Sequence, residues 1–222
     1  MGITLVWMLA LNMVCLGKFS GYETAVPVHK TTKLPVVFGG SPFFNDNYKY
    51  ADITLNRGRR ILNIKVKINL ELQQVQFLSF NNVAAVMEAG TVKEVSYADT
   101  TSEGIVFYKF RTGYPEVDGK TRNNFYILLA DGNCSLLRSV EKKVTEGKNV
   151  INNNEVIKDY ETYDFFYLFI KGEMKRLKKE KQFILAELSD KQPQLETFIE
   201  ENKINMRSIE QVAKLVNYYN TL

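Results

Sequence analysis

Residues 64–70 read Ile-Lys-Val-Lys-Ile-Asn-Leu, so apolar and polar side chains alternate without a break. Successive side chains of a β-strand point to opposite faces. One face of this segment would therefore carry four aliphatic side chains and the other two lysines and an asparagine. A period of two is typical of a half-buried strand. The segment predicts a sheet that covers a core on one side.

The same alternation continues on both sides of this segment. Strand-like runs recur at residues 51–55, 75–80, 83–87, 92–97, 105–110, 124–130, 133–138 and 160–170, with turn signals at residues 56–58, 81–82 and 131–132. Asp131-Gly132 predicts a two-residue type I′ turn, and the asparagine-rich residues 146–159 predict an exposed loop. Residues 34–177 are thus predicted to form an antiparallel β-meander or a partly open, barrel-like sheet.

Beyond residue 177 the apolar spacing becomes helical. Leu195, Phe198 and Ile199 recur at i, i+3 and i+4, and Ser208 with Gln211 has the spacing of a capping box. Ser189-Asp190 predicts a cap for the middle helix. Helices this short cannot bury their apolar stripes alone. We therefore expect an α+β fold in which helices of residues 178–222 dock on the sheet.

The amino terminus has the pattern of an export signal. Residues 3–16 read ITLVWMLALNMVCL, which contains no charge and is too short to span a bilayer. Residues 1–21 are predicted to be a signal peptide and residues 22–33 an extended linker. Since no Lys or Arg precedes residue 3, an uncleaved anchor or a buried N-terminal helix is the alternative. Export predicts a periplasmic, outer-membrane-associated or secreted location.

The chain has two cysteines, Cys15 and Cys134. Lipidation of Cys15 is a further alternative, although Val14 is bulkier than the Gly or Ala that a lipobox has at this position. After cleavage Cys134 would be the only cysteine, so no intrachain disulfide could form. Because no base lies near it in sequence, a packing role is favoured over a nucleophilic one.

Composition bounds the function further. Of the 222 residues, 45% are hydrophobic and 24% charged, and the formal net charge is only +4. These values are typical of a globular protein and give no indication of nucleic-acid binding. His29, the only histidine, falls in the predicted linker. No cofactor, metal or catalytic site is therefore predicted, and Gly39-Gly40-Ser41-Pro42 lacks the Lys-Ser/Thr of a phosphate-binding loop.

Two groups of residues are candidate binding surfaces. Alternation places Tyr163, Phe165, Tyr167 and Phe169 on one face of the aromatic segment 160–170, where ordinary core packing is the competing explanation. Basic residues then cluster at Lys171, Lys175, Arg176, Lys178 and Lys179. This patch suits peripheral contact with anionic lipid, and a solvated helix start is the competing explanation.

Four segments carry a resemblance to known proteins: GGSPFF at residues 39–44, ADG at 130–132, FILAELSDK at 183–191 and FIEENKI at 198–204. In this order, behind a short signal, they resemble exported proteins of Gram-negative bacteria that have no known activity. The resemblance spans most of the predicted mature chain. It implies a location in the envelope and assigns no role to any residue.

These observations favour a non-catalytic exported module that binds an envelope protein or a small ligand, or that stabilises the cell surface. The alternative is a small hydrolase of the cell envelope using carboxylates such as Asp159, Glu161 and Asp164, which requires two acids in one cleft. An outer-membrane barrel, whose strands should each show an apolar outer band of about 9 to 11 residues, is disfavoured, because Lys65 and Lys67 alternate with apolar residues and the chain ends in helices. The oligomeric state does not follow from the sequence.

Overall fold

A computed structural model describes residues 36–88, 90–102, 104–148 and 156–222. The predicted signal peptide and linker, with Cys15 and His29, lie outside these residues. Within the described ranges, no helix has both the length and the apolar character needed to cross a membrane.

The strands form one large sheet followed by short helices. The strands are β1 (Val36–Gly39), β2 (Lys49–Leu55), β3 (Arg60–Asn69), β4 (Gln74–Leu78), β5 (Ala84–Val86), β6 (Val92–Thr101), β7 (Gly104–Arg111), β8 (Tyr126–Ala130), β9 (Cys134–Lys148), β10 (Val156–Ile170) and β11 (Glu173–Arg176). Their order is β1-β10-β9-β8-β7-β6-β2-β3-β4-β5, and β11 also pairs with β10. All pairs are antiparallel except β1 with β10. The predicted α+β meander is confirmed.

The longest hairpin, β9 with β10, corrects the ends of the loop predicted at residues 146–159, since residues 146–148 and 156–159 belong to its two strands and residues 149–155 lie outside the described ranges. Glu146 pairs with Lys158 in the ladder, and their side chains form an ion pair at 2.5 Å. Both strands continue beyond this pair, to Lys148 and from Val156. The asparagines of the segment favour a loop, but pairing of opposite charges across the two strands is favourable in an antiparallel ladder and extends the hairpin.

Among the described residues, buried apolar side chains form two large cores on the sheet and a smaller third cluster around Tyr126 and Tyr167. Strands β2, β3, β4, β6, β7, β8 and β9 share the first core, which includes Ile53, Val66, Val75, Val95 and Phe110. The second core lies beneath the helices α1 (Lys181–Glu187), α2 (Gln192–Glu201) and α3 (Ile209–Tyr219). There Leu195, Ile199, Val212, Leu215 and Val216 pack with residues of β8, β9 and β10. The helical stripe is thus buried against the sheet, as predicted, except that Phe198 is only half-buried and stacks on Tyr218.

The turn between β8 and β9 corrects a second prediction. Neither Asp131 nor Gly132 has a positive φ, so the turn is not type I′. A Cβ atom on Gly132 would lie 2.6 Å from Cγ of Asn220, so the glycine is required by close packing against α3. The positive φ pair that a type I′ turn needs occurs instead at Lys171-Gly172, between β10 and β11.

Several polar side chains near the ends of the helices hold α3 in place and do not cap a helix. Asn220 accepts a hydrogen bond from the Cys134 backbone amide and donates one to its carbonyl, both at 2.8 Å. Asp190 accepts the Tyr219 hydroxyl instead of capping α2, which corrects the predicted Ser189-Asp190 cap. Ser208 does cap α3, but the Gln211 side chain accepts from the Asn205 amide, so only half of the capping box forms.

Ion pairs join strands across the sheet. Arg111 donates to both Glu94 and Asp131, which ties β6 and the β8–β9 turn to β7. Lys49 on β2 pairs with Asp99 on β6. Hydrogen bonds from Lys49 hold the pKa of Asp99 below its usual range, and those from Arg111 do the same for Asp131.

We expect these carboxylates to make the fold acid-sensitive. Because their pKa values are lowered in the folded chain, their stabilisation is fully present above the unfolded values of about 4 and is lost as pH falls through the folded values. The urea midpoint should therefore stay level from about pH 7 to pH 5 and decline below about pH 4. Asp99→Asn should make the decline shallower, and a midpoint that rises on acidification would contradict this reasoning.

Candidate functional site

The main candidate site lies on the face of β2, β3, β6 and β7 that points away from the core. Tyr50 on β2 and Phe107 on β7 stand on this face, 60% and 80% exposed. Ala98 of β6 pairs with Phe107, and Ala98 and Tyr50 line the same cavity. The small alanine therefore forms the floor of a trough between two exposed aromatic rings.

A row of polar side chains runs beside this aromatic row. Asp52, Ser96 and Lys109 stand opposite one another on three neighbouring strands. Asn63, which has a φ of 54° in an irregular part of β3, donates its backbone amide to Asp52 at 2.9 Å. Among the residues that the structure describes, the Ser96 hydroxyl and the Asn63 side-chain amide have no hydrogen-bond partner. These groups remain available to a ligand.

Both rows line a cavity of about 370 Å³, and a second cavity of about 390 Å³ adjoins it. Tyr50 and Asn63 line both, so Tyr50 stands between them. The second cavity is mainly apolar and includes Ile61, Leu62, Ile64, Phe77 and Phe80 in its lining. We call the two cavities together the outer-face groove. Their sizes fall in the range of small-molecule sites, about 300 to 1,000 Å³.

A second candidate is a polar cavity of about 300 Å³, here called the Lys120 cavity, on another part of the sheet. Its lining includes the carboxylates of Glu71, Asp118 and Glu141 and the ammonium of Lys120. Lys120 is buried and donates to Glu141. Burial raises the pKa of Glu141, but hydrogen bonds from Lys120 and Lys143 outweigh it, so the pKa lies below its usual range. A general acid requires the opposite shift.

The predicted aromatic surface adjoins this cavity. Tyr163, Phe165, Tyr167 and Phe169 alternate along β10 as expected, but they differ in exposure. Tyr167 is fully buried and donates to Asp118 at 2.9 Å, whereas Tyr163 is 40% exposed. Phe165 lies between Lys120 Nζ, 4.9 Å from the ring centroid, and the Arg176 guanidinium at 4.8 Å. Packing accounts for Tyr167, and a binding role for this surface stays a prediction.

Tyr126 is fully buried beside Tyr167, and its hydroxyl has no hydrogen-bond partner within the described residues. Burial raises the pKa of this phenol, so it stays neutral at any ordinary pH. We expect Tyr126→Phe to leave the free energy of unfolding unchanged or to raise it by about 1 kcal/mol, since it removes an unsatisfied polar group.

The matched variant Tyr167→Phe loses the hydrogen bond to Asp118 and should cost about 1 to 2 kcal/mol. Urea denaturation of both variants provides the measurement. A larger loss for Tyr126→Phe than for Tyr167→Phe would show that the Tyr126 hydroxyl has a partner.

The predicted basic patch is divided among separate contacts. Lys171 lies in the β10–β11 turn. Two of the cations form ion pairs with carboxylates, Lys175 with Glu187 at 2.7 Å and Arg176 with Asp118 at 3.6 Å. Two others lie over aromatic rings, with Lys178 Nζ 5.8 Å from the centroid of Phe183 and Lys179 Nζ 5.0 Å from that of Phe166. Carboxylates therefore pair with two of these five cations, and two others lie over aromatic rings, which do not cancel their charge. The patch therefore offers less free positive charge than its sequence suggests.

The carboxylates proposed for a hydrolase do not meet in either candidate site. Asp164 forms a two-point ion pair with Arg138 at 2.8 and 2.9 Å, and Glu161 accepts from Tyr163. Asp159 lies against Gly39. None of the three lines the outer-face groove or the Lys120 cavity.

Two further residue types bear on catalysis. Cys134 is fully buried, and burial raises the pKa of its thiol to about 12, which keeps it protonated and unreactive at neutral pH. In the described ranges, no three His, Cys, Asp or Glu side chains converge as a metal site.

Comparison with known proteins found no matching family model, no matching curated protein and no matching solved structure. The candidate site therefore rests on its own geometry. Sequence reasoning missed Tyr50 and Phe107. The sequence signal that could have found Phe107 is the segment Ile105-Val-Phe-Tyr-Lys-Phe110, which has apolar side chains on both faces of the strand. Since one face of an antiparallel sheet covers the core, apolar side chains on the other face are left exposed.

Proposed function

We propose that this chain is a non-catalytic exported binding protein that holds its ligand in the outer-face groove. The observation that carries the proposal is the side-by-side arrangement of exposed aromatic rings and unpaired polar groups around Tyr50. Complete burial of one large apolar side chain stabilises a fold by about 1.5 to 3 kcal/mol. The folded chain does not gain this free energy from aromatic side chains that stay exposed. Clusters of this kind usually mark a surface that another molecule covers.

The polar contacts elsewhere support binding over catalysis. Glu141 has a pKa below its usual range, and Asp164 is held by Arg138, so these carboxylates already have partners. The hydrolase alternative would require one of them to deliver a proton. The modest net charge and the pairing of Lys175 and Arg176 with carboxylates argue against nucleic acid as the partner.

Export is supported by the uncharged residues 3–16. We expect expression in a Gram-negative host to give a product that is cleaved between Gly17 and Val26 and recovered from the periplasm or the outer surface. N-terminal sequencing measures this directly. An intact Met1 on a cytoplasmic product would contradict export, and an acylated Cys15 would replace cleavage at this site by lipidation.

The binding proposal is tested by co-sedimentation of the exported protein with washed bacterial envelopes. We expect Tyr50→Ala with Phe107→Ala to lower the bound fraction at least tenfold. Ile105→Ala is the matched control, because Ile105 is 66% exposed on β7 but does not line the groove. Equal loss in the control, or no envelope binding by the native chain, would overturn the proposal. Release of reducing ends from the envelopes over time would support the hydrolase instead.

A further inference from the structure

We infer that the ligand of the outer-face groove is an uncharged saccharide. This inference rests on the proposed function, because it names the ligand class of the same site.

The aromatic row suits the carbon face of a sugar ring. Tyr50 and Phe107 lie on strands separated by one strand, which places their backbones about 10 Å apart. Ala98 keeps the space between them open. One face of a pyranose carries mainly C–H groups, and these pack favourably on aromatic rings. The trough therefore offers two aromatic surfaces along a span that accommodates more than one sugar ring.

The polar row suits the hydroxyl groups at the rim of the same sugar. Asp52 and Ser96 lie two residues along their strands from Tyr50 and Ala98, which is a rise of about 6.6 Å. Asp52 can accept hydrogen bonds, Lys109 can donate them, and the free Ser96 hydroxyl and Asn63 amide can do both. A ligand with an apolar face and a polar edge fits this pair of rows better than an acyl chain, which would leave the polar row unpaired.

Charge favours an uncharged ligand. Asp52 lies 3.9 Å from Arg60, and Lys109 lies 3.9 Å from Glu94, so each charge of the polar row has an opposite charge nearby. The Lys65 ammonium lies over the Tyr50 ring at 5.4 Å. Recognition of a phosphate or of several carboxylates would require converging cations, which the polar row does not supply.

The experiment is isothermal titration of the full exported chain with hexasaccharides of the malto, cello, xylo and chito series. We expect at least one series to bind. Phe107→Ala and Tyr50→Ala should each raise its Kd at least tenfold, which corresponds to about 1.4 kcal/mol. Ser96→Ala should raise the Kd by a smaller factor, and Ile105→Ala should leave it unchanged.

The outcomes separate this inference from the proposed function. If no series binds while envelope binding persists and depends on Phe107, the saccharide inference falls and the groove holds a protein or lipid partner. If Ile105→Ala weakens saccharide binding as much as Phe107→Ala, the aromatic trough is not the site and the inference also falls. If envelope binding is absent as well, both proposals fail.

Discussion

Deletion of residues 189–222 is expected to destroy the cooperative unfolding of the whole chain. These residues contain α2 and α3, and their removal uncovers the apolar side of β8, β9 and β10 beneath them. A domain of this size has only about 5 to 15 kcal/mol of stability to lose. Calorimetry should show a broadened or absent transition. A truncated chain that melts at the native temperature would mean that the helices form an independent appendage.

A point variant tests the same packing without a truncation. Leu215 is fully buried in α3, so Leu215→Ala should cost about 2 to 5 kcal/mol and lower the melting temperature in one transition. Phe198→Ala should cost less, about 1 to 2 kcal/mol, because Phe198 is only half-buried, stacks on Tyr218 and packs at the edge of the core beneath the helices. A larger effect for Phe198→Ala than for Leu215→Ala would contradict the packing described.

The second large effect is expected at the buried ion pair of Lys120 and Glu141. Lys120 has only 6% of its side chain exposed, and Glu141→Gln would leave its ammonium buried without a counter-charge. Loss of one partner of a buried pair costs about 3 to 5 kcal/mol, and the 24% exposure of the Glu141 side chain reduces this to about 2 to 3 kcal/mol.

Two control variants test whether the loss of stability comes from burial of the ion pair. Lys158→Met removes one partner of the more exposed pair with Glu146, whose side chain is 62% exposed, and should cost about 1 kcal/mol or less. The double variant Lys120→Met with Glu141→Leu should recover most of the loss, since apolar replacements remove both desolvated charges. Urea denaturation measures all three variants. Equal costs for Glu141→Gln and Lys158→Met would contradict a buried pair.

Local patterns were enough to predict most of the fold. The alternation of residues 64–70 depends only on the strand itself, and β3 forms there with Val66 and Ile68 buried. The helical spacing of Leu195 and Ile199 likewise specifies a buried stripe. Predictions failed where a distant residue decides the conformation. Gly132 is required by Asn220, which lies 88 residues further along the chain, and no local pattern reports that contact.

The candidate site was harder to predict from the sequence than the fold. Tyr50 and Phe107 belong to different strands, and β6 lies between them, so only the sheet order brings them to one face. The aromatic residues of β10 lie close together in sequence and so predict a shared surface, but Tyr167 is fully buried. Aromatic density along one strand does not distinguish core from surface. The decisive information is which face covers the core, and this depends on the complete sheet.

Hydrogen–deuterium exchange of the native chain, free and bound to washed envelopes, tests the binding account most directly. Residues that line a binding site should exchange more slowly when it is occupied. Binding in the outer-face groove predicts new protection in β2, β6 and β7 around Tyr50, Ser96 and Phe107, with little change around Asp118 and Glu141. Protection confined to the Lys120 cavity or to the face of Tyr163 would contradict binding in the outer-face groove.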